Sequence, residues 1–174
     1  MTNKLIKLSA LLLTLAFLLG ICTACQGSEE ASSADKENGI EIKSDDSPAA
    51  STIKELYLDA AKEQSDIMSI AAAMMQDGAI PYSLDVFEIE QGAYLNGFSA
   101  EPDGYSRGVC FCPFIGTIPF VGYLFESDNP QQLFSSLKAN AMLDWNICTQ
   151  ADEIVSGIDG SRVLFVMTPS SFDD

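Results

Sequence analysis

Between Arg107 and Glu126 the chain runs for eighteen residues without a charge, GVCFCPFIGTIPFVGYLF. Length alone admits a membrane span, which needs ~20 predominantly apolar residues. However, Pro113, Gly116, Pro119 and Gly122 interrupt the run, and Val, Ile, Phe and Tyr fill the space between them. That punctuation predicts two buried strands joined by a turn. The prolines then belong at edges, bulges or strand ends, because proline removes a ladder donor. A pair of strands this apolar needs further strands beside it and cover on its faces.

The flanking sequence supplies both. Thr52-Ile53-Lys54-Glu55 has the form of a helix-starting capping box. Ile53, Leu56, Ala60, Ile67, Ala71 and Met74 then recur at helical spacing, which predicts one helix from Thr52 to about Met75, stopped by Gly78 and Pro81. Met68, Met74 and Met75 read either as core filler or as a plastic binding groove. LDVFEIE (84–90) reads as a strand, GAYLNGFSA as a looser one and EPDGYSRG as a surface loop. Asn129, Pro130 and Gln132 occupy N-cap, N1 and N3 of a second helix, with Leu133, Phe134, Leu137 and Ala141 on its apolar face. Asp159-Gly160 between two β-rich runs is a hairpin signal. The expected class is α+β: a small antiparallel sheet packed against two helices.

The N-terminus has a different purpose. Lys4 and Lys7 precede the apolar run ALLLTLAFLLGIC, and no further charge appears before Glu29. This is the layout of a secretory signal peptide, with an apolar region too short for a comfortable span. Cys22-Thr23-Ala24-Cys25 looks like the lipobox of bacterial lipoproteins, with small residues before the cut, although Cys22 stands where leucine is usual. Read as a redox or metal CxxC, the pair would need a second CxxC or a βαβ context, and neither is visible. The expected organisation is a signal peptide over 1–24, a diacylglycerol anchor on Cys25, a disordered Ser/Ala/Asp/Glu-rich tether over 25–51 and one domain over 52–174. Such a protein is held at the cell membrane, on its extracytoplasmic face, by its acyl chains.

Charge narrows the partners. The net charge is −16, and loss of Lys4 and Lys7 with the leader takes it to −18. A surface of that sign repels phosphates, so no nucleic-acid partner is expected, and the membrane is met through the lipid at Cys25. The chain contains no histidine. Ser-His-Asp and Cys-His catalysis and His-ligated zinc are therefore ruled out. No P-loop, GxSxG, GxGxxG or EF-hand spacing occurs. Acid pairs such as Asp85/Glu88 and Asp152/Glu153 read as solvated faces on so acidic a chain. No metal set and no cofactor is expected.

Three cysteines fall in the domain. Cys110 and Cys112 would share one face of a strand. Either one bridged to Cys148 would leave an odd thiol; the blander reading is three small buried hydrophobes. In DWNIC, Trp145 is the single tryptophan, beside Asn146 and Cys148. It is either an aromatic platform at a pocket mouth or a ring plugging the second helix against the sheet, with Asn146 ending that helix. Trp145, Asn146 and Cys148 are the candidate binding residues.

The second helix, LDWNICTQADE and the closing GSRVLFVM resemble the C-terminal half of a small lipoprotein domain of unknown function common in Gram-positive gut bacteria, over residues 120–168. That resemblance implies a lipoprotein with no assigned activity, and it carries no catalytic residue across. The expected function is a lipid-anchored, non-catalytic binding or scaffold domain. The alternative is a cysteine-dependent thiol or redox enzyme using Cys110 and Cys112.

Overall fold

The computed structural model describes residues 41–43 and 47–172. The expected signal peptide, Cys22, Cys25 and the first part of the expected tether lie outside the described residues. The chain order is β1 (Glu41–Lys43), α1 (Pro48–Glu63), α2 (Ile67–Gln76), β2 (Leu84–Glu88), β3 (Arg107–Pro113), β4 (Val121–Glu126), α3 (Pro130–Asn140), β5 (Glu153–Asp159) and β6 (Arg162–Thr168). The strands form one six-stranded antiparallel sheet in the order β1-β5-β6-β4-β3-β2. The fold is α+β.

The eighteen-residue uncharged run becomes most of β3, a connection and β4, paired with Phe111 opposite Gly122. Among the described residues no helix is long and apolar enough to cross a membrane. Both faces of these strands are covered, so they read as apolar runs rather than alternations. Val109, Phe111, Leu124, Leu164 and Val166 face α1 and α2, where Ile53, Tyr57, Ile67 and Ile70 meet them. Cys110, Tyr123, Phe125 and Phe165 face the other way, against Leu133 and Leu137 of α3 and against Leu95 and Phe98.

The expected single helix over 52–75 is two helices. After Ala60 the helical stripe would next bring Gln64 to the core, and Gln64-Ser65-Asp66 are all polar. The Asp66 carboxylate instead accepts the Ser69 N–H at 3.0 Å and starts α2, while the Gln64 N–H closes α1 on the Ala60 carbonyl at 2.9 Å. Among the described residues the sheet therefore carries three helices, two on one face and α3 on the other.

The expected boundary at Thr52 falls inside α1. Ser47 is the true N-cap, its Oγ accepting the Ala50 N–H at 3.0 Å, with Pro48 in the first turn. Thr52 donates to the Pro48 carbonyl at 2.9 Å instead of capping. Ala49 and Ala50 are buried, and Glu41–Lys43 pair with β5, so part of the expected tether belongs to the domain. Ser47 also hydrogen-bonds Glu153, and Tyr57 donates to Asp159 at 2.9 Å, fastening α1 to β5.

The second helix forms where Asn129 caps it, Asn129 Oδ1 accepting the Gln132 N–H at 3.3 Å. The hairpin forms as well, with Gly160-Ser161 as the two-residue loop and Gly160 at φ 59°. GAYLNGFSA does not become a strand. Gly97 turns there at φ 84°, and Phe98 makes a single bridge to Ala141. An added Cβ at Gly97 would lie 2.3 Å from the Met167 Cε, so the loop crosses the sheet where a side chain would have to push the methionine aside.

Candidate functional site

The site follows from the two-residue alternation of β3. Val109 and Phe111 point to the α1/α2 core, so Cys110 and Cys112 both point to the opposite face. Phe87 of β2 and Tyr123 of β4 flank Cys110, and Asp85 lies opposite Cys112. The connection from Ile89 to Ser106 leaves β2 and folds back over this part of the sheet. It is held at both ends and in between: the Ile89 N–H donates to the Gly108 carbonyl, the Ser106 N–H to the Glu126 carbonyl and the Tyr123 hydroxyl to the Asn96 carbonyl, each at 2.8 Å.

A cavity of about 320 Å³ lies between this connection and the strands. Cys110, Cys112 and Tyr123 form its sheet side, Ala93 and Leu95 its cover, and Glu88 and Glu90 are exposed at its rim. Tyr94, also lining it, is 78% exposed. The pocket is half open to solvent, and its volume lies at the small end of the range for ligand sites.

The two thiols are unlike. Cys110 is buried and Cys112 is half-buried. The Cys110 S–H bond to Cys112 is the largest influence on each: it holds the Cys112 thiol down to about 7, against the opposing effects of burial and Asp85. The same bond, with burial, pushes Cys110 well above the ordinary thiol range. Burial likewise raises the Tyr123 phenol, which stays protonated and holds the Asn96 carbonyl. At the rim, Arg107 pairs with Glu88 at 2.7 Å and with Asp66 at 3.0 Å, tying β2 and β3 to the start of α2.

The expectation of three buried cysteines fails at two of them: Cys148 is exposed, Cys112 is half-buried, and all three are free thiols. Cys148 is held out of the core because its segment is fastened to another loop. Asn146 Nδ2 donates to the Gly116 carbonyl at 2.6 Å, and the Thr149 hydroxyl donates to the Thr117 carbonyl. Asn146 does not end a helix, because α3 stops at Asn140. Trp145 follows the helix rather than lying on it, and its half-buried ring packs near Gly97 against the second core. It is neither a fully enclosed plug nor an open platform. Trp145, Asn146 and Cys148 do not line the cavity at Cys110 and Cys112.

Tyr94, Leu95 and Tyr123 were not marked by the sequence as site residues. One signal pointed toward them: the connection between β2 and β3 runs from Ile89 to Ser106, longer than connections in a compact domain usually are without a role. No protein-family model matches the chain, and no curated protein and no solved structure is significantly similar to it.

Proposed function

We propose that this protein is a lipid-anchored, extracytoplasmic binding lipoprotein whose non-catalytic domain takes a small ligand in the cavity between β3 and the 89–96 segment. Cys25 carries the anchor. The observation that supports binding is the cavity itself, framed by paired strands and roofed by a segment fastened through Tyr123. The lipobox, and the resemblance over 120–168 to a lipoprotein domain of unknown function, support the location.

Two experiments test the two halves. Cys25→Ala should release the protein from the membrane fraction, because acyl chains supply the anchoring free energy. A Cys25→Ala protein that stays in the membrane pellet would refute the anchor. For the cavity, Leu95→Trp fills the covered side. A ligand found by thermal shift should stabilise the parent protein and lose that effect in Leu95→Trp; ligands that stabilise both equally act elsewhere.

The second reading, a thiol-dependent enzyme on Cys110 and Cys112, has one observation in its favour: both sulfurs line the same cavity. It ranks second because a redox pair must close a disulfide, and Cys110 and Cys112 lie two residues apart on a strand paired on both sides, where their Cβ atoms stand too far apart for one.

A further inference from the structure

We propose that Cys110 and Cys112 form a two-thiolate site for a soft metal ion of low coordination number, of the Cu(I) class, inside the cavity under the 89–96 segment. The inference rests on the reading of that cavity as a ligand site and names the ligand's chemistry.

The spacing on β3 carries the argument. Successive residues of a strand rise by ~3.4 Å, so side chains two apart on one face leave the backbone ~6.8 Å from each other. A disulfide needs its Cβ atoms ~3.8 Å apart, so closing one between Cys110 and Cys112 would have to draw two parallel Cα–Cβ bonds ~3 Å together and twist the strand between them. The strand is not free to do so. Cys110 is paired with Phe87 on one side and Tyr123 on the other, and Phe111 between the cysteines is paired with Val86 and Gly122. The Phe111 ring also lies across Gly122, in the space an added Cβ would occupy, so moving Phe111 would disturb that packing as well as the ladder. A single bridging atom suits the spacing better. Two metal–sulfur bonds of ~2.3 Å span over twice the ~2.0 Å of a sulfur–sulfur bond, and the strand keeps its ladder.

The donor set then selects the ion. Two thiolates are soft ligands. Among the described residues no group of three or more His, Cys, Asp or Glu side chains could hold a metal. A tetrahedral zinc site or an octahedral oxygen site is therefore not available here, and an ion satisfied by two sulfurs is. Leu95 and Ala93 line the same cavity as the sulfurs, and the exposed Glu90 at its rim favours entry of a cation, whereas Glu88 is held by Arg107. Binding replaces the thiol protons that Cys110 and Cys112 still hold by two Cu–S bonds, releases those protons to solvent and transfers no electron, because the copper arrives already as Cu(I).

The test is an anaerobic competition titration against a chromogenic Cu(I) chelator. It uses the full chain carrying Cys22→Ser, Cys25→Ser and Cys148→Ser, so that only the strand thiols remain. This protein should withdraw one equivalent of Cu(I), develop thiolate-to-copper ultraviolet absorption and melt at a higher temperature. Adding Cys112→Ser, at the half-buried position where a hydroxyl is tolerated, should abolish all three effects; Cys110→Ala should do the same. Circular dichroism of each variant confirms that the sheet has formed. Failure to draw Cu(I) from the chelator, or an equivalent retained after either substitution, would overturn the proposal. Rapid closure of a Cys110–Cys112 disulfide by glutathione disulfide, with the sheet intact, would overturn the spacing argument on which it stands. A ligand still sensitive to Leu95→Trp in a protein that refuses Cu(I) would leave the cavity reading standing and sink only the metal.

Discussion

At the scale of single residues, Gly122 shows what a sequence conceals. In the uncharged run it reads as punctuation, yet it lies inside β4, where an added Cβ would meet the Phe111 ring at 1.9 Å. The glycine is there to let an aromatic ring from the neighbouring strand lie across it, a pairing that stabilises sheets containing glycine. Gly122→Ala should therefore destabilise the protein by about 1–3 kcal/mol, the usual cost of forcing extra volume into a packed core. A denaturant midpoint unchanged by Gly122→Ala would refute the close approach. Trp145 was legible as an aromatic near the second helix and illegible in its burial, because its placement depends on Gly97 and Met167, far away in sequence. The cysteine pair was legible as sharing one face from strand alternation alone. That Cys112 would be half-buried and Cys148 exposed depends on loops whose course has no local signature.

Among the elements, local chemistry announced those with strong caps. Asn129-Pro130 and the Gly160 turn lie where the sequence puts them, because each is decided within four residues. The start of α1 was misplaced because Thr52-Ile53-Lys54-Glu55 mimics a capping box, while Ser47-Pro48 supplies the real one. The break before α2 was missed because Asp66 reads as one more exposed acid. Its carboxylate is held below its ordinary pKa first by the Ser69 N–H and then by Arg107. A depressed carboxylate stabilises fully above its unfolded value and loses that benefit as pH falls through the folded one. Asp66→Ala should cost about 0.5–2 kcal/mol at neutral pH, the range for an N-cap. The gap between it and the parent should close as pH drops below about 4, the ordinary aspartate value. Asp66→Asn, which keeps a capping acceptor, should recover most of the loss. A gap between parent and Asp66→Ala that persists undiminished into acid would refute the role of the charge.

On the scale of the whole molecule, the α+β class followed from the order of elements, whereas the extent of the domain did not. Nothing in EIK marks a strand until β5 is there to receive it, and the pairing spans more than a hundred residues. A chain beginning at Thr52 loses β1, the Ser47 cap and the buried Ala49 and Ala50. It should be less stable than one beginning at Gly39 by at least about 1 kcal/mol, the loss of a cap alone. Equal midpoints in urea would mean that the N-terminal segment adds nothing. The sheet has a further consequence. β3, β4 and β6 each send alternate side chains into both cores, so neither face can melt while the other stays intact. Backbone amides of β4 and β6, enclosed by strands on either side and covered above and below, have no local opening by which to reach water. Their deuterium uptake should track global unfolding alone, while the 89–96 segment exchanges through smaller openings, leaving the cavity accessible in a molecule whose centre remains closed.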